Sequence, residues 1–233
     1  MTGKVVTLSG GVGGAKLVQG LAQVVDGDDL IVACNTGDDF DHLGLRVCPD
    51  IDSVLYALSG LSDEVRGWGG RDETWTFMAA LKQLGGPDWF NLGDGDLATH
   101  VLRGDLLRQG QSLSEVTTSL AQRLGIQATI VPMSDTPVAT IVHAETGDLA
   151  FQNYFVRDQC KPAVKGFSFN GIGAAEPQAD ILAALASDPD AILIAPSNPY
   201  VSVDPILHLP GMRRAMKAAG APMVAVSPIV AGQ

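Results

Sequence analysis

Val5-Val6-Thr7-Leu8-Ser9-Gly10-Gly11-Val12-Gly13-Gly14-Ala15-Lys16 decides the fold. Lys4–Ser9 is a strand-like β-branched run, and four glycines follow it as a strand-to-helix turn. Leu17, Leu21 and Val24, with Val18 and Val25 beside them, then recur at helical spacing on one face. Leu30–Cys34 is a second strand-like run. Together they form a βαβ unit of about 30 residues.

Working outward, Ala191–Ala195 and Met223–Ser227 are continuous apolar runs of the kind found in strands buried on both faces, with a helix-patterned stretch, Pro205–Ala219, between them. The middle reads differently. Asp50–Leu58, Asp72–Leu84, Asp96–Gln109 and Ser112–Leu124 are helix-patterned, with Asp50 and Ser112 as N-caps and a capping box at Ser112-Leu113-Ser114-Glu115. Ala128–Val131, Ala139–His143 and Leu149–Phe151 read as short strands, with a turn at Thr146-Gly147-Asp148. The expected fold class is α/β: a doubly wound, Rossmann-like, mainly parallel sheet with a helical and β-hairpin insertion. One composite domain is expected over 1–233, with 1–49 and 160–233 as nucleotide-binding core and 50–159 as the insertion.

Composition narrows the function. The 233 residues are 46% hydrophobic and 18% charged, and mean hydropathy is +0.19, enough apolar material for a core and too little charge for a disordered chain. No apolar run approaches the ~20 residues needed to cross a bilayer, and the start lacks a signal-peptide h-region. Three cysteines without CxxC spacing suit a reducing cytoplasm. The net charge of −11, with 15 basic residues spread along the chain, leaves no basic stripe for nucleic acid. An anionic small molecule remains compatible where backbone N–H groups or a metal oppose its charge.

Five constellations can carry chemistry. Gly10, Gly11, Gly13, Gly14 and Lys16 form a glycine turn at a helix start, suited to an anion but matching neither the P-loop nor the dinucleotide fingerprint. The acidic run after the second strand contains Asp38, Asp39 and Asp41, followed by Asp50 and Asp52. Carboxylates beside a phosphate site imply a divalent cation between them, for which Asp38, Asp39 and Asp50 are the candidate ligands and Mg²⁺ the candidate ion. Asn91, Asp94 and Asp96 precede a helix carrying His100, a spacing that serves capping equally well. Ser197 and Asn198, with Ser227, lie in loops at strand C-termini, where an α/β crevice forms. Trp68 and Trp75 flank Arg71-Asp72-Glu73, suited to packing or to stacking a flat ligand. There is no HExxH and no Cys/His metal cluster in the sequence.

The segments 9–21 (SGGVGGAKLVQGL), 35–56 (NTGDDFDHLGLRVCPDIDSVLY), 66–75 (RGWGGRDETW), 87–100 (PDWFNLGDGDLATH), 195–203 (APSNPYVSV) and 224–230 (VAVSPIV), taken in order, resemble the 2-phospho-L-lactate transferase family of deazaflavin coenzyme (factor 420) biosynthesis. The stretches RVCPD and GWGxRDETW resemble its actinobacterial, phosphoenolpyruvate-using branch most. The resemblance implies a cytoplasmic, homodimeric, Mg²⁺-dependent transferase. Its donor is a lactyl or enolpyruvyl ester of guanosine diphosphate, its acceptor 7,8-didemethyl-8-hydroxy-5-deazariboflavin, and GMP leaves. It places deazaflavin contacts at Asp52 and Asn91, and sets the glycine loop and the Pro196–Pro199 loop against the nucleotide. Asp52 and Asp50 are the expected catalytic carboxylates, Asp52 as acceptor or orienter of the hydroxyl proton. As a crevice carboxylate, Asp52 is expected to be dispensable for folding. The chain departs from relatives at Gly95 and Asn91, where many carry a basic residue, and is expected to stop short of the family's C-terminal segment. The rival reading is a non-catalytic nucleotide-sugar-binding regulator of the same fold.

Overall fold

The structure, a computed structural model, describes residues 3–228. Ile229 and the remainder of the segment after Pro228 lie outside them. Strand β1 (Val5–Ser9) leads through helix α1 (Gly11–Leu21) to β2 (Leu30–Cys34), as the opening sequence requires. A small antiparallel hairpin follows, β3 (Phe40–His42) and β4 (Leu45–Val47), turning on Leu43 and Gly44 with φ of 54° and 76°. Then come α2 (Pro49–Ser59), α3 (Thr76–Gln83), α4 (Asp94–Arg108), α5 (Leu113–Arg123) and β5 (Thr129–Pro132). Strands β6 (Ala139–Ala144), β7 (Gly147–Ala150) and β8 (Val164–Asn170) make a separate antiparallel sheet in the order β7-β6-β8. The chain returns through α6 (Ala179–Ala186), β9 (Ala191–Ile194), α7 (Asp204–His208), α8 (Met212–Ala218) and β10 (Met223–Ala225).

The main sheet is parallel, in the order β10-β9-β1-β2-β5. Alternation of side chains across each strand divides its apolar residues between two cores. Val5, Leu30, Val32, Cys34 and Ile130 meet α1, α2 and α5 on one face. Val6, Leu8, Ile31, Ala33, Val131 and Ile192 meet α6, α7 and α8 on the other. This is the doubly wound α/β architecture. Chain order reverses between β1 and β9, and the loops leaving those two strands part to opposite faces and open a crevice. Among the described residues no helix is long and apolar enough to cross a membrane.

Several expectations need correction. Strand β5 pairs with β2, so the main sheet draws a strand from inside the expected insertion of 50–159. Helix α2 likewise packs on α1, because Ile51, Val54 and Leu55 are apolar on the face that meets the core. Asp50 is not an N-cap: Cys48 occupies that place, Pro49 starts the helix, and Asp50 sits in its first turn. Ser112, in contrast, caps α5 with both halves of its capping box formed. The stretch 205–219 is two helices, broken at Pro210-Gly211 where Gly211 takes a φ of 85°. Met223–Ser227 is not buried on both faces. Met223 and Val224 are about half exposed, since β10 is the sheet's outer strand among the described residues.

Candidate active site

The glycine turn ends β1 and begins α1. Gly10 stands at the N-cap in extended conformation and brings no side chain to the helix start. The cap comes from elsewhere: Asp50 Oδ1 accepts the Gly11 N–H at 2.6 Å, and Asp50 Oδ2 accepts from Asn35 Nδ2 at 2.8 Å. The PDxD helix therefore rests its first carboxylate on the positive end of α1, the place where a helix start binds an anion. A side chain at position 10 would put its Cβ 2.6 Å from Ser202 Cβ and 2.9 Å from Asp50 Oδ2, so only glycine admits this closeness.

Across the crevice, the loop after β9 clasps the same turn. Ser197 Oγ accepts the Gly10 N–H at 3.1 Å, and Asn198 Oδ1 accepts the Tyr200 N–H at 2.9 Å to cap the turn that follows. A Cβ on Gly13 would strike the Pro196 carbonyl oxygen, and one on Gly14 the hydroxyls of Ser9 and Ser197. The structure thus brings Gly10, Gly11, Gly13, Gly14, Asp50, Ser197 and Asn198 to one junction between β1 and β9. Lys16 does not join it: it lies in the second turn of α1 with an exposed side chain. Ser227 is exposed beyond the end of β10. Asn35, which ties the second loop to Asp50 and also donates to the Val201 carbonyl at 3.3 Å, escaped the sequence reading.

Beside the junction, negative charge is concentrated. Burial, then the charge of Asp50, holds Asp38 well above the usual carboxylate range. Burial pushes Asp39 up to about 8 against the Cys48 thiol and the Arg103 and Arg46 charges, and Asp50 up to about 6 against its bonds from Asn35 and Gly11. Oδ1 of Asp38 and Oδ1 of Asp39 are covered and have no hydrogen-bond partner. Two buried, undonated carboxylate oxygens are the chemistry a hard divalent cation takes, with one or two carboxylates and a shell filled by phosphate oxygens and water. The described residues hold one triad whose ligand atoms lie within 4.8 Å of one another, and it is Asp52, Asp96 and His100 rather than the expected Asp38, Asp39 and Asp50. That triad already contains its cation, because Arg103 is paired with Asp52.

The raised carboxyls give stability a pH dependence. An unfolded aspartate titrates near 3.9, whereas folded Asp39 titrates at about 8. Over the interval between, the folded state binds more protons than the unfolded state, so stability falls as pH rises. His42, lowered by burial and by the charge of His100, acts with the opposite sign below about 6.5. The melting temperature without metal is therefore expected to drop between about pH 6.5 and pH 8, and Mg²⁺ to flatten that drop by favouring the ionised carboxylates. A melting temperature constant or rising over this range without metal would contradict the burial of these groups.

The remaining motif residues lie on the outer arm formed by α3 and α4. Asp94 is a cap for α3: its carboxylate accepts from Thr74 Oγ1 at 2.6 Å, Phe77 N at 3.0 Å and Thr76 N at 3.1 Å. Glu73 returns the favour to α4, accepting from Gly95 N at 2.7 Å and Asp96 N at 2.9 Å. The RDETW and GDGD segments thus recognise each other, with Asp94 capping the start of α3 and Glu73 the start of α4. Trp68 and Trp75 both lie on the Arg66 guanidinium, at 5.1 and 4.9 Å from carbon to ring centre. Asn91 is exposed just ahead of α4, next to a cluster of Phe40, His42, Trp89 and Phe90 rings. Asp52, expected as an open crevice carboxylate, is only 5% exposed, and Arg103 donates to both its oxygens.

Comparison with known proteins gives this arrangement its relatives. A protein of the UPF0052 family from Bacillus halodurans shares the fold, with a TM-score of 0.67 at 20% identity, over 97% of this chain and 69% of that one. A phosphoenolpyruvate transferase of Kitasatospora aureofaciens is 45% identical across 98% of this chain and 73% of its own length. The phosphoenolpyruvate transferase of Mycobacterium ulcerans is 41% identical across 99% and 75%. The profile of the family described as 2-phospho-L-lactate transferase CofD matches residues 5–233, from the first residue of β1 onward. With the glycine junction, the PDxD helix and the PSNP loop all inside that match, the chain belongs to the 2-phospho-L-lactate transferase family.

Proposed function

We propose that this chain transfers a phosphoenolpyruvyl group from enolpyruvyl-diphospho-guanosine to the terminal ribityl hydroxyl of 7,8-didemethyl-8-hydroxy-5-deazariboflavin, releasing GMP. The three-carbon acid is taken from the actinobacterial relatives, which are named phosphoenolpyruvate transferases. The observation that carries the reading is the junction of the glycine turn with the Pro196–Pro199 loop at the reversal of strand order, where a diphosphate has a helix start to face.

In this reading the ribityl oxygen forms a bond to the second phosphorus as the bond from that phosphorus to the GMP oxygen breaks, and the hydroxyl proton passes to the phosphate of the departing GMP. Phosphoryl transfer of this kind asks the protein for position and charge neutralisation more than for covalent chemistry. The α1 N–H groups and the Ser197 and Asn198 loop bind the donor's diphosphate. Mg²⁺ held by Asp38 and Asp39, with Asp50 beside them, supplies the opposing charge when bound. Asp50 sits on the Gly11 N–H, so donor phosphate and Asp50 compete for that donor group unless the cation lies between them. Asp52, with both oxygens engaged by Arg103, suits orienting the acceptor better than taking its proton.

The test is a coupled assay of the protein with Mg²⁺, deazariboflavin and either the lactyl or the enolpyruvyl donor, following GMP and the phosphorylated deazaflavin by chromatography. Product from the enolpyruvyl donor is expected. Product from the lactyl donor alone would overturn the choice of acid. No GMP with either donor, from folded protein that binds GDP, would overturn the transferase and leave a nucleotide-binding regulator.

A further inference from the structure

Arg103, which engages both oxygens of Asp52, is fully buried and anchors a polar network between α2 and α4. Its Nη1 donates to Asp52 Oδ2 at 3.1 Å and to the Arg46 carbonyl at 3.3 Å, and lies 3.2 Å from His100 Nδ1; its Nη2 donates to Asp52 Oδ1. His100 Nε2 is in turn 3.2 Å from Asp96 Oδ2, and Asp96 Oδ1 accepts from the Tyr56 hydroxyl at 2.5 Å. Asp52 and Tyr56 are four residues apart on α2. Asp96, His100 and Arg103 follow one another at steps of four and three on α4. Both sets therefore lie on single helix faces, and the two faces meet in a buried polar seam in which Arg103 Nε and His100 Nε2 are left without a hydrogen-bond partner.

A seam of this kind is an expensive way to hold two helices together. Burying charges costs several kcal/mol each before pairing offsets it, and apolar residues of the same volume often stabilise equally well. A forked guanidinium–carboxylate pair fixes distance and angle in a way that an apolar stripe does not. What it fixes here is specific. The start of α2 carries Asp50 on the glycine turn, the donor side. The segment entering α4 carries Asn91, which the family resemblance assigns to the acceptor side. In-line transfer depends steeply on the relative placement of its two substrates, about a hundredfold for an ångström of misplacement.

Resting on the transferase reading above, we propose that Arg103 is a positioning residue for the transfer. Acting through Asp52, it registers the acceptor-side arm against the donor-side junction, with His100, Asp96 and Tyr56 bracing the guanidinium from behind.

The experiment compares wild type, Arg103→Lys and Tyr56→Phe in the coupled assay with Mg²⁺, and measures KM for each substrate, kcat, GDP affinity by calorimetry and melting temperature. Arg103→Lys keeps the charge and loses the fork. It is expected to lower kcat/KM for deazariboflavin about ten- to a hundredfold, with GDP affinity and donor KM unchanged. Tyr56→Phe removes the hydroxyl at the far end of the seam, with its bonds to Asp96 and Thr99, and keeps the ring. It is expected to fold and to show the same acceptor-selective loss at about threefold, so the proposal stays testable if Arg103→Lys does not fold. A purely structural role predicts a lower melting temperature with both KM values unchanged, and that result overturns the proposal. So does an equal rise in donor and acceptor KM. A wild-type protein that gives no product overturns the transferase reading instead, which the variants cannot do.

Discussion

Asp52→Ala is expected to cost about 3–5 kcal/mol of stability, the usual loss when one partner of a buried ion pair is removed. Arg103 would remain buried with its charge uncompensated: of the other carboxyls that feel it, Asp39 is pushed by burial up to about 8, and Asp96 is held by Tyr56 and His100. Against a total of about 5–15 kcal/mol for a folded domain, that is roughly a fifth of the stability or more. For a chain of this size it lowers the melting temperature by roughly 10 °C, at about 2–4 °C per kcal/mol. The double variant Asp52→Leu with Arg103→Met removes both charges together and is expected to recover most of the loss, because a buried pair can often be exchanged for apolar residues at little net cost. Thermal and urea unfolding of the three proteins decide the matter. Wild-type stability in Asp52→Ala would mean that Arg103 finds water or another partner. The consequence for enzymology is direct: an inactive Asp52→Ala says nothing about proton transfer until its folded fraction is known.

The contrast with the sequence reading has a physical cause. On sequence alone Asp52 belongs to an acidic run after a strand, and acidic runs in α/β loops normally face the crevice. Its partner is 51 residues away on a helix whose polar stripe, Asp96, His100 and Arg103, looks like a solvated face. Local periodicity separates polar from apolar residues; it cannot tell a polar face turned to water from one turned to another polar face. The same limit explains Asp94 and Glu73, whose reciprocal capping of α3 and α4 is invisible until the two helix starts meet. The elements that were legible are those whose signal is local and redundant. β1, α1 and β2 follow from β-branched runs around four glycines, and Ser112 caps α5 through a box four residues long. Strand β8 carried a partial signal: Gly166-Phe167-Ser168-Phe169-Asn170 alternates small or polar residues with aromatic ones, but the period breaks at Lys165, where the pairing with β6 shifts register. The β3–β4 hairpin carried less, since its turn is Leu43-Gly44 in place of the usual Asn-Gly and Leu43 takes an uncommon positive φ.

The glycine junction yields the second large effect. Gly13→Val places a Cβ against the Pro196 carbonyl oxygen, a backbone atom that moves only if the loop after β9 moves with it. That loop carries Ser197, whose hydroxyl holds the Gly10 N–H. Relief of the clash therefore opens the clasp on both sides, and overpacking of this kind costs about 1–3 kcal/mol. GDP affinity is expected to fall about ten- to a hundredfold, since the two loops that face the diphosphate no longer close to the same spacing and each 1.4 kcal/mol is a factor of ten. Gly20→Ala is the control on the same helix. Gly20 has no neighbour within 4 Å of an added Cβ, and alanine in a helix interior is favoured over glycine by roughly 0.5–1 kcal/mol. It is expected to raise the melting temperature and leave GDP binding alone. Calorimetric titration of GDP with Mg²⁺ into both variants separates the effects. Unchanged GDP affinity in Gly13→Val would remove the diphosphate from the β1–β9 junction, and the α1 start would then be a packing turn capped by Asp50.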